Sequence, residues 1–205
     1  MKRALSANEV LTMKKKVLHL SGDFYDAFGT PERTGVWFIW GGSGNGKSSF
    51  VMQLCKELTN HGTVAYDSLE EGSSLTIQNT LRRFEMDSVS RRFKLIDCES
   101  ISELSERITK KKSADFIVID SFQYTLLTYK QYIEFKNKHK NKLLIFTSHA
   151  DGKQPAGRSA KSVMYDATLK IWVEGYKAIS KGRFIGPNGG LFTIWDEGSV
   201  RYWGE

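Results

Sequence analysis

Val36-Trp37-Phe38-Ile39-Trp40-Gly41-Gly42-Ser43-Gly44-Asn45-Gly46-Lys47-Ser48 is the stretch on which the fold of this 205-residue chain turns. Five apolar residues in a row, without polar alternation, describe a strand buried on both faces. The eight residues from Gly41 to Ser48 fit G-x-x-x-x-G-K-[ST] at every position. Glycines let the backbone curl so that several N–H groups converge on a phosphate. Lys47 adds a mobile charge for the terminal phosphates, and the Ser48 hydroxyl suits Mg²⁺. Lys47 to Asn60 then reads as a helix with Phe50, Val51, Leu54 and Leu58 on one side. Its positive end faces the same phosphates. His61-Gly62 is its expected end, with the glycine as C-terminal cap. The nucleotide-binding set is therefore Gly42, Ser43, Gly44, Asn45, Gly46, Lys47, Ser48 and Ser49, with ATP and Mg²⁺ as the expected ligands.

Downstream of this unit, strand and helix alternate. Thr63 to Tyr66, Phe93 to Ile96, Phe116 to Ile119 and Leu143 to Phe146 read as strands. Between them, Ser74 to Phe84, Ile101 to Lys112 and Leu127 to Lys140 read as helices; Leu75, Ile77, Leu81 and Phe84 are the apolar positions of the first. Such alternation implies parallel pairing with helices on both faces. Upstream, Ser6-Ala7-Asn8-Glu9 has capping-box spacing and starts a helix running to about Lys16. A turn-rich stretch from Ser21 to Gly35 follows it. Beyond residue 150 the texture changes. Leu169 to Val173, Ala178 to Phe184, Leu191 to Trp195 and Val200 to Trp203 look like strands in antiparallel hairpins that extend the same sheet. One domain is expected: a lead-in over residues 1–34, a nucleotide-binding core over 35–150, and a C-terminal part over 151–205.

Two carboxylate positions complete the expected chemistry. Asp120 closes the apolar run of residues 116–119, where a carboxylate can hold Mg²⁺ directly or through water. Glu70 and Glu71 follow the second strand, where one of them can take a proton from an attacking water.

The composition fits a globular protein, with 40 % hydrophobic and 26 % charged residues, and five Trp and twelve Phe to build a core. No apolar stretch approaches the length that crosses a bilayer. Met1-Lys2-Arg3-Ala4-Leu5-Ser6 is basic but lacks the apolar segment of a signal peptide, so a cytoplasmic setting without a membrane is expected. There Cys55 and Cys98 are expected as two buried thiols. The formal charge of +7 hints at a polyanionic partner.

With these pieces aligned, the chain resembles the RecA-like superfamily, most of all the DnaB replicative helicases and the RadA/Sms recombination ATPases. Ser68-Leu69-Glu70 is similar to the Ser-Leu-Glu of the helicases, and Glu70-Glu71 to the Glu-Glu of RadA. The resemblance implies Glu70 as catalytic base. Asp120-Ser121 is similar to the Asp-Ser that ends the metal-binding strand of the superfamily. Lys181-Gly182-Arg183-Phe184-Ile185-Gly186 resembles the Lys-Asn-Arg-Phe-Gly motif of RadA. That likeness implies Lys181 and Arg183 as cations acting on ATP held by a neighbouring subunit, in a ring or filament. Ser148-His149 stands where the helicases carry Ser-Gln, which makes His149 the candidate sensor of the terminal phosphate. Residues 151–161 occupy the place of a DNA-binding loop, expected to be flexible, with Lys153, Arg158 and Lys161 as contacts to single-stranded DNA. Counterparts of the zinc-binding and protease-like domains of RadA, and of the primase-contacting domain of the helicases, are not expected: the resemblance is to the motor core.

The implied function is a DNA-dependent ATPase of recombination, replication or repair. A nucleotide-gated regulatory or assembly module acting on a protein partner is the alternative. A small-molecule kinase would share the loop but would need an arginine-rich lid.

Overall fold

A computed structural model of the chain describes residues 3–204; Met1 and Lys2 of the basic start, and Glu205, lie outside the described residues. The strand read over residues 36–40 spans Gly35–Gly41 (β1) and continues through a loop into the helix Lys47–Leu58 (α3). Two helices precede them, Ala7–Leu11 (α1) and Gly22–Phe28 (α2). Then follow Val64–Ser68 (β2), Leu75–Arg83 (α4), Phe93–Asp97 (β3), Ile101–Thr109 (α5), Phe116–Asp120 (β4), Tyr129–Lys138 (α6) and Leu143–Asp151 (β5). The C-terminal part holds Gln154–Pro155 (β6), Arg158–Asp166 (α7), Leu169–Glu174 (β7), Lys177–Ser180 (β8), Leu191–Thr193 (β9) and Asp196–Trp203 (α8).

The sheet runs in the order β3-β2-β4-β5-β1-β7-β8-β9, and β6 pairs with the end of β5. From β3 to β7 all the pairings are parallel, and β8 and β9 run antiparallel. β1 is buried on both faces because both faces carry helices. Trp37 and Ile39 join one apolar layer with Phe50, Leu54 and Leu58 of α3. Val36, Phe38 and Trp40 join the other with Leu104 of α5, Tyr132 and Phe135 of α6, and Val163 of α7. Each fully buried side chain of this kind contributes about 1.5–3 kcal/mol of transfer free energy.

Several sequence expectations need correction. The first helix is only Ala7–Leu11, although its Ser6/Glu9 capping box is present. After it the chain becomes extended, which lets both Leu18 and Leu20 bury. The turn-rich stretch contains α2, whose Ala27 and Phe28 are buried and whose Phe24 stacks on Phe192 at 4.4 Å. Gly62 is not a left-handed cap, since Thr59 ends α3 in a right-handed conformation. Gly62 is needed for closeness: a Cβ there would lie 2.5 Å from the Asp115 carboxylate. Leu75 is exposed and so is not a core position of α4.

The larger corrections are C-terminal. The expected flexible segment 151–161 forms a tight hairpin, β5–β6, and then the first turn of α7. That helix supplies the crossover a parallel strand requires, so β7 pairs parallel with β1 instead of belonging wholly to hairpins. Val200 to Trp203 is helical, not a strand. Asp196 and Glu197 sit favourably in the first turn of α8, and Gly204 ends it at φ +74°.

Candidate active site

β1 delivers the glycine-rich loop to the C-terminal edge of the sheet. Gly41 packs so tightly on β7 that a Cβ would lie 2.3 Å from the Val173 carbonyl oxygen. The loop enters α3 through Gly44 and Gly46, at φ +75° and +94°, a region that other residues rarely adopt. The first N–H groups of the twelve-residue α3 therefore face the loop. Asn45 locks it from behind. Its amide donates to the Ser43 carbonyl at 3.2 Å and accepts the Gly175 N–H at 2.8 Å. Its own carbonyl accepts the Tyr176 N–H at 3.1 Å. Among the described residues Lys47 has no hydrogen-bond or ion-pair partner, so its ammonium is free for a ligand.

A cleft of ≈ 330 Å³ opens beside this loop, lined by residues 41–44 and 46–49 together with Glu70, Glu71, Asp120, His149 and Tyr176. Apart from Asn45, whose side chain is turned to Ser43 and Gly175, every sequence-predicted chemical group of the parallel core thus reaches one place. The reason is topological: strands running the same way end at the same edge.

The carboxylates are positioned by neighbouring strands. Asp120 ends β4 and accepts hydrogen bonds from the hydroxyls of Tyr66 on β2 and Thr147 on β5. Burial, and then the adjacent Asp120, hold the Tyr66 hydroxyl well above its usual pKa, so Tyr66 stays a donor. The Asp120 carbonyl accepts the N–H groups of Leu69 and Glu70 at 2.7 and 3.2 Å, which pins the turn after β2 against β4. The Glu70 carboxylate then receives the Ser121 hydroxyl at 3.3 Å and lies 3.1 Å from His149 Nε2. Glu71 instead receives hydroxyls of Thr76 and Ser74 at the start of α4. The two adjacent glutamates are therefore in different environments: Glu70 is engaged with the ends of β4 and β5, and Glu71 with a helix cap.

The remaining predicted residues lie elsewhere. Lys181 and Arg183 do not line this chain's own cleft. The Lys181 ammonium sits 5.4 Å from the Trp172 ring, and the Lys153 ammonium 5.8 Å from the same ring. Arg183 borders a separate surface depression with Tyr25, Gly29 and Pro187. Arg158 and Lys161 stand in the first turn of α7. Cys55 is buried as expected, but Cys98 is exposed.

Four side chains of the site region escaped sequence reading: Tyr66, Thr147, Tyr176 and Gln123. Tyr66 and Thr147 look like ordinary strand residues, and only the order of strands puts them on either side of Asp120. Gln123 follows Asp120 by three residues, and its carboxamide bonds Ser148, His149 and Ala156. Asp67, next to Tyr66 but facing the other way, is buried; one oxygen accepts the Glu99 N–H and the other has no partner among the described residues.

The donor set fits a nucleoside triphosphate with a hard divalent cation. The loop offers open backbone around Gly44, where a Cβ would meet nothing within 4 Å, and an unpaired Lys47. Ser48 and Asp120 offer two oxygens, the kind of sparse protein contribution that suits Mg²⁺ shared with phosphates. Among the described residues no group of three or more His, Cys, Asp or Glu side chains would hold a metal alone, and no helix is long and apolar enough to cross a membrane.

No family model matches the chain, and no curated protein matches it in sequence. Solved structures do. The flagellar accessory protein FlaH from Methanocaldococcus jannaschii superposes with a TM-score of 0.66 at 16% identity, covering 86% of this chain and 91% of that one. A KaiC-like protein from the hyperthermophilic archaeon Pyrococcus horikoshii OT3 gives 0.58 at 19%, covering 87% and 98%. In topology and in both likenesses, the chain has the RecA-like P-loop fold.

Proposed function

We propose that this protein binds ATP with Mg²⁺ and hydrolyses it. The observation that carries this reading is the Glu70–His149 pair, which lies in the same cleft as Lys47, Ser48 and Asp120. A phosphate-binding loop alone speaks for binding, whereas a carboxylate held opposite it speaks for activating water. In hydrolysis, water attacks the terminal phosphorus, one P–O bond forms, the bridging P–O bond breaks, and the water's proton passes to Glu70. His149 and Ser121 orient the carboxylate for that transfer. Lys47 and the N–H groups of the loop stabilise negative charge on the phosphates. Ser48 and Asp120 are the residues that would hold Mg²⁺, which supplies further charge neutralisation when bound.

Lys181 and Arg183 belong to a neighbouring copy's site in this reading. Both are cationic and outside this chain's own cleft, which supports assembly into a ring or filament where Arg183 completes the next subunit's centre. The decisive experiment measures phosphate release and oligomeric state together, over a range of protein concentration. Turnover per subunit that rises with assembly is the expected result; no release at any concentration would refute hydrolysis.

The motor acts on single-stranded DNA in recombination, replication or repair, in the manner of the DnaB and RadA branch. The formal charge of +7 supports this, as does the placement of Lys153 on a hairpin that begins at His149. The alternative partner is a protein. The structural likeness to a flagellar accessory protein favours it. ATPase assays with and without single-stranded DNA, across a salt series, separate the two. DNA stimulation that weakens with salt supports the motor; no stimulation and no DNA binding leave the assembly module.

A further inference from the structure

We infer that Arg83 is a nucleotide-binding residue whose guanidinium holds the α-phosphate, the one nearest the nucleoside, beside Ser49. The inference rests on the proposed binding of ATP and adds a contact that no motif in the sequence marks. Its basis is an arginine at the rim of the cleft with no acid to neutralise it. Arg83 ends α4, and its Nη2 donates to the Ser49 hydroxyl at 3.2 Å. Ser49 is the third residue of α3 and lines the cleft. The end of α4 is fixed in this place. The Phe84 carbonyl accepts the Lys56 ammonium at 2.9 Å further along α3, and Leu81 and Phe84 pack against the core.

A guanidinium carries five N–H donors, and Ser49 takes one of them. The guanidinium carbon lies 5.0 Å from the Phe84 ring, and among the described residues no carboxylate pairs with it. The nearest acids in sequence serve other groups. Glu85 pairs with Lys56 at 3.5 Å, and Glu71 receives the hydroxyls of Ser74 and Thr76. Arg82 stands in the same last turn, where a positive charge suits the helix end, but it turns to Asn79 instead. Arg83 thus leaves an open fork of donors beside a phosphate-binding loop, and such a fork suits two-point contact with a phosphate. Its place along the nucleotide follows from its neighbours. Lys47, Ser48, Glu70 and Asp120 mark the end of the cleft where the terminal phosphate reacts. Ser49 lies one residue beyond Ser48 and is turned to α4, and the loop cradles the inner phosphates with its backbone. The guanidinium therefore meets the α-phosphate, which ATP and ADP share.

The test titrates the full-length chain with ADP and with a non-hydrolysable ATP analogue, both in Mg²⁺, and measures steady-state ATPase beside them. Arg83→Ala should weaken ADP and the analogue equally, by about tenfold to a hundredfold, the range of charge-assisted hydrogen bonds. KM should rise by a similar factor while kcat stays within about twofold, because the reacting phosphate is untouched. Arg83→Lys keeps the charge without the fork and should fall between wild type and alanine. Sulfur in place of one non-bridging α-phosphate oxygen of ADP should weaken wild-type binding more in one diastereomer than in the other. Arg83→Ala should erase most of that difference, which loss of a merely structural contact would not do. If the alanine variant does not fold, Arg83→Gln, which keeps a donor for Ser49 and no charge, carries the same comparison. Affinities for both nucleotides within about twofold of wild type would overturn the assignment. So would a loss confined to the ATP analogue, or a sulfur effect that is the same in the variant as in wild type. A wild-type chain that binds neither nucleotide would instead remove the ATP reading on which the assignment rests.

Discussion

Between Gly35 and Asp151 the strands all run the same way, and the C-terminal ends of β1, β2, β4 and β5, or the turns that follow them, each bring residues of the cleft to one edge. Between Gln154 and Trp203 the strands turn back on each other, and what they bring is different. The turn between β7 and β8 braces the glycine-rich loop through Gly175 and Tyr176, while Lys181 and Arg183 stay outside the cleft. A parallel sheet concentrates groups by its geometry alone. An antiparallel extension distributes them over both edges, so its cations serve a site only if another surface arrives. In the proposed reading, the comparison thus divides the chemistry into a part held within one chain and a part that assembly would complete.

The sharpest way to break this division is in the parallel part. Lys47→Ala should lower ATP turnover by at least about 10³-fold, because nothing else in the cleft supplies its charge. Phosphate release measures it, and residual turnover within tenfold of wild type would displace the loop from the centre of the chemistry.

Arg183→Ala tests the other part. Loss of a finger acting between subunits should cost about 10³-fold in the assembled protein, with the nucleotide affinity of the monomer largely unchanged. Normal turnover in that variant would leave the C-terminal strands with bracing as their sole contribution.

Glu70→Gln should lower kcat by about 10²–10⁴-fold while nucleotide binding persists. The matching Glu71→Gln change should do little, because that carboxylate is occupied with Ser74 and Thr76. The opposite outcome would exchange the two roles and would make the Glu70–His149 contact a structural one.

A smaller effect probes the seam between the two parts. Asn45→Ala removes the side-chain bond to Gly175 and should weaken nucleotide binding by about five- to tenfold, the size of one hydrogen bond near 1 kcal/mol. Titration of a fluorescent nucleotide reads it; unchanged affinity would mean that the brace does not shape the loop.

The smallest effect concerns stability alone. Burial pushes the Asp67 carboxyl up to about 7. Between about pH 4 and 7 the folded protein keeps this proton and the unfolded chain releases it. Stability from this group therefore falls as pH rises through that window and is level above it. Asp67→Asn should flatten the window and raise stability at pH 8 by about 1–2 kcal/mol, read from urea midpoints at pH 5 and 8. ATP turnover should not change, since Asp67 does not line the cleft.

How much of this was legible in the sequence follows the same division. The strands at 36–40, 116–119 and 143–146 were readable because buried parallel strands are continuous apolar runs. Lys47 and Ser48 were readable because the loop matches the phosphate-binding pattern at every position, Asp120 because it ends an apolar run, and Glu70 as one of two glutamates shortly after the second strand, chosen over Glu71 by the family resemblance. The C-terminal part was not. Val200, Tyr202 and Trp203 have the composition of a strand, and a run that short does not carry a period that separates strand from helix. Helix α7 was hidden in a segment of glycine, lysine and serine whose buried residues, Ala160, Val163 and Met164, are sparse.

By itself the sequence determined that a phosphate-binding loop joins a buried strand to a helix, and that two carboxylates follow neighbouring strands. Those are local facts, written in consecutive residues. Only the tertiary structure decided that Tyr66 and Thr147 hold Asp120, that Glu70 faces His149 while Glu71 does not, and that Gln123 binds the hairpin behind them. Each of these depends on which strands are neighbours and where a ladder stops. Strand order is set by crossovers and packing over the whole sheet, and no short stretch of residues encodes it.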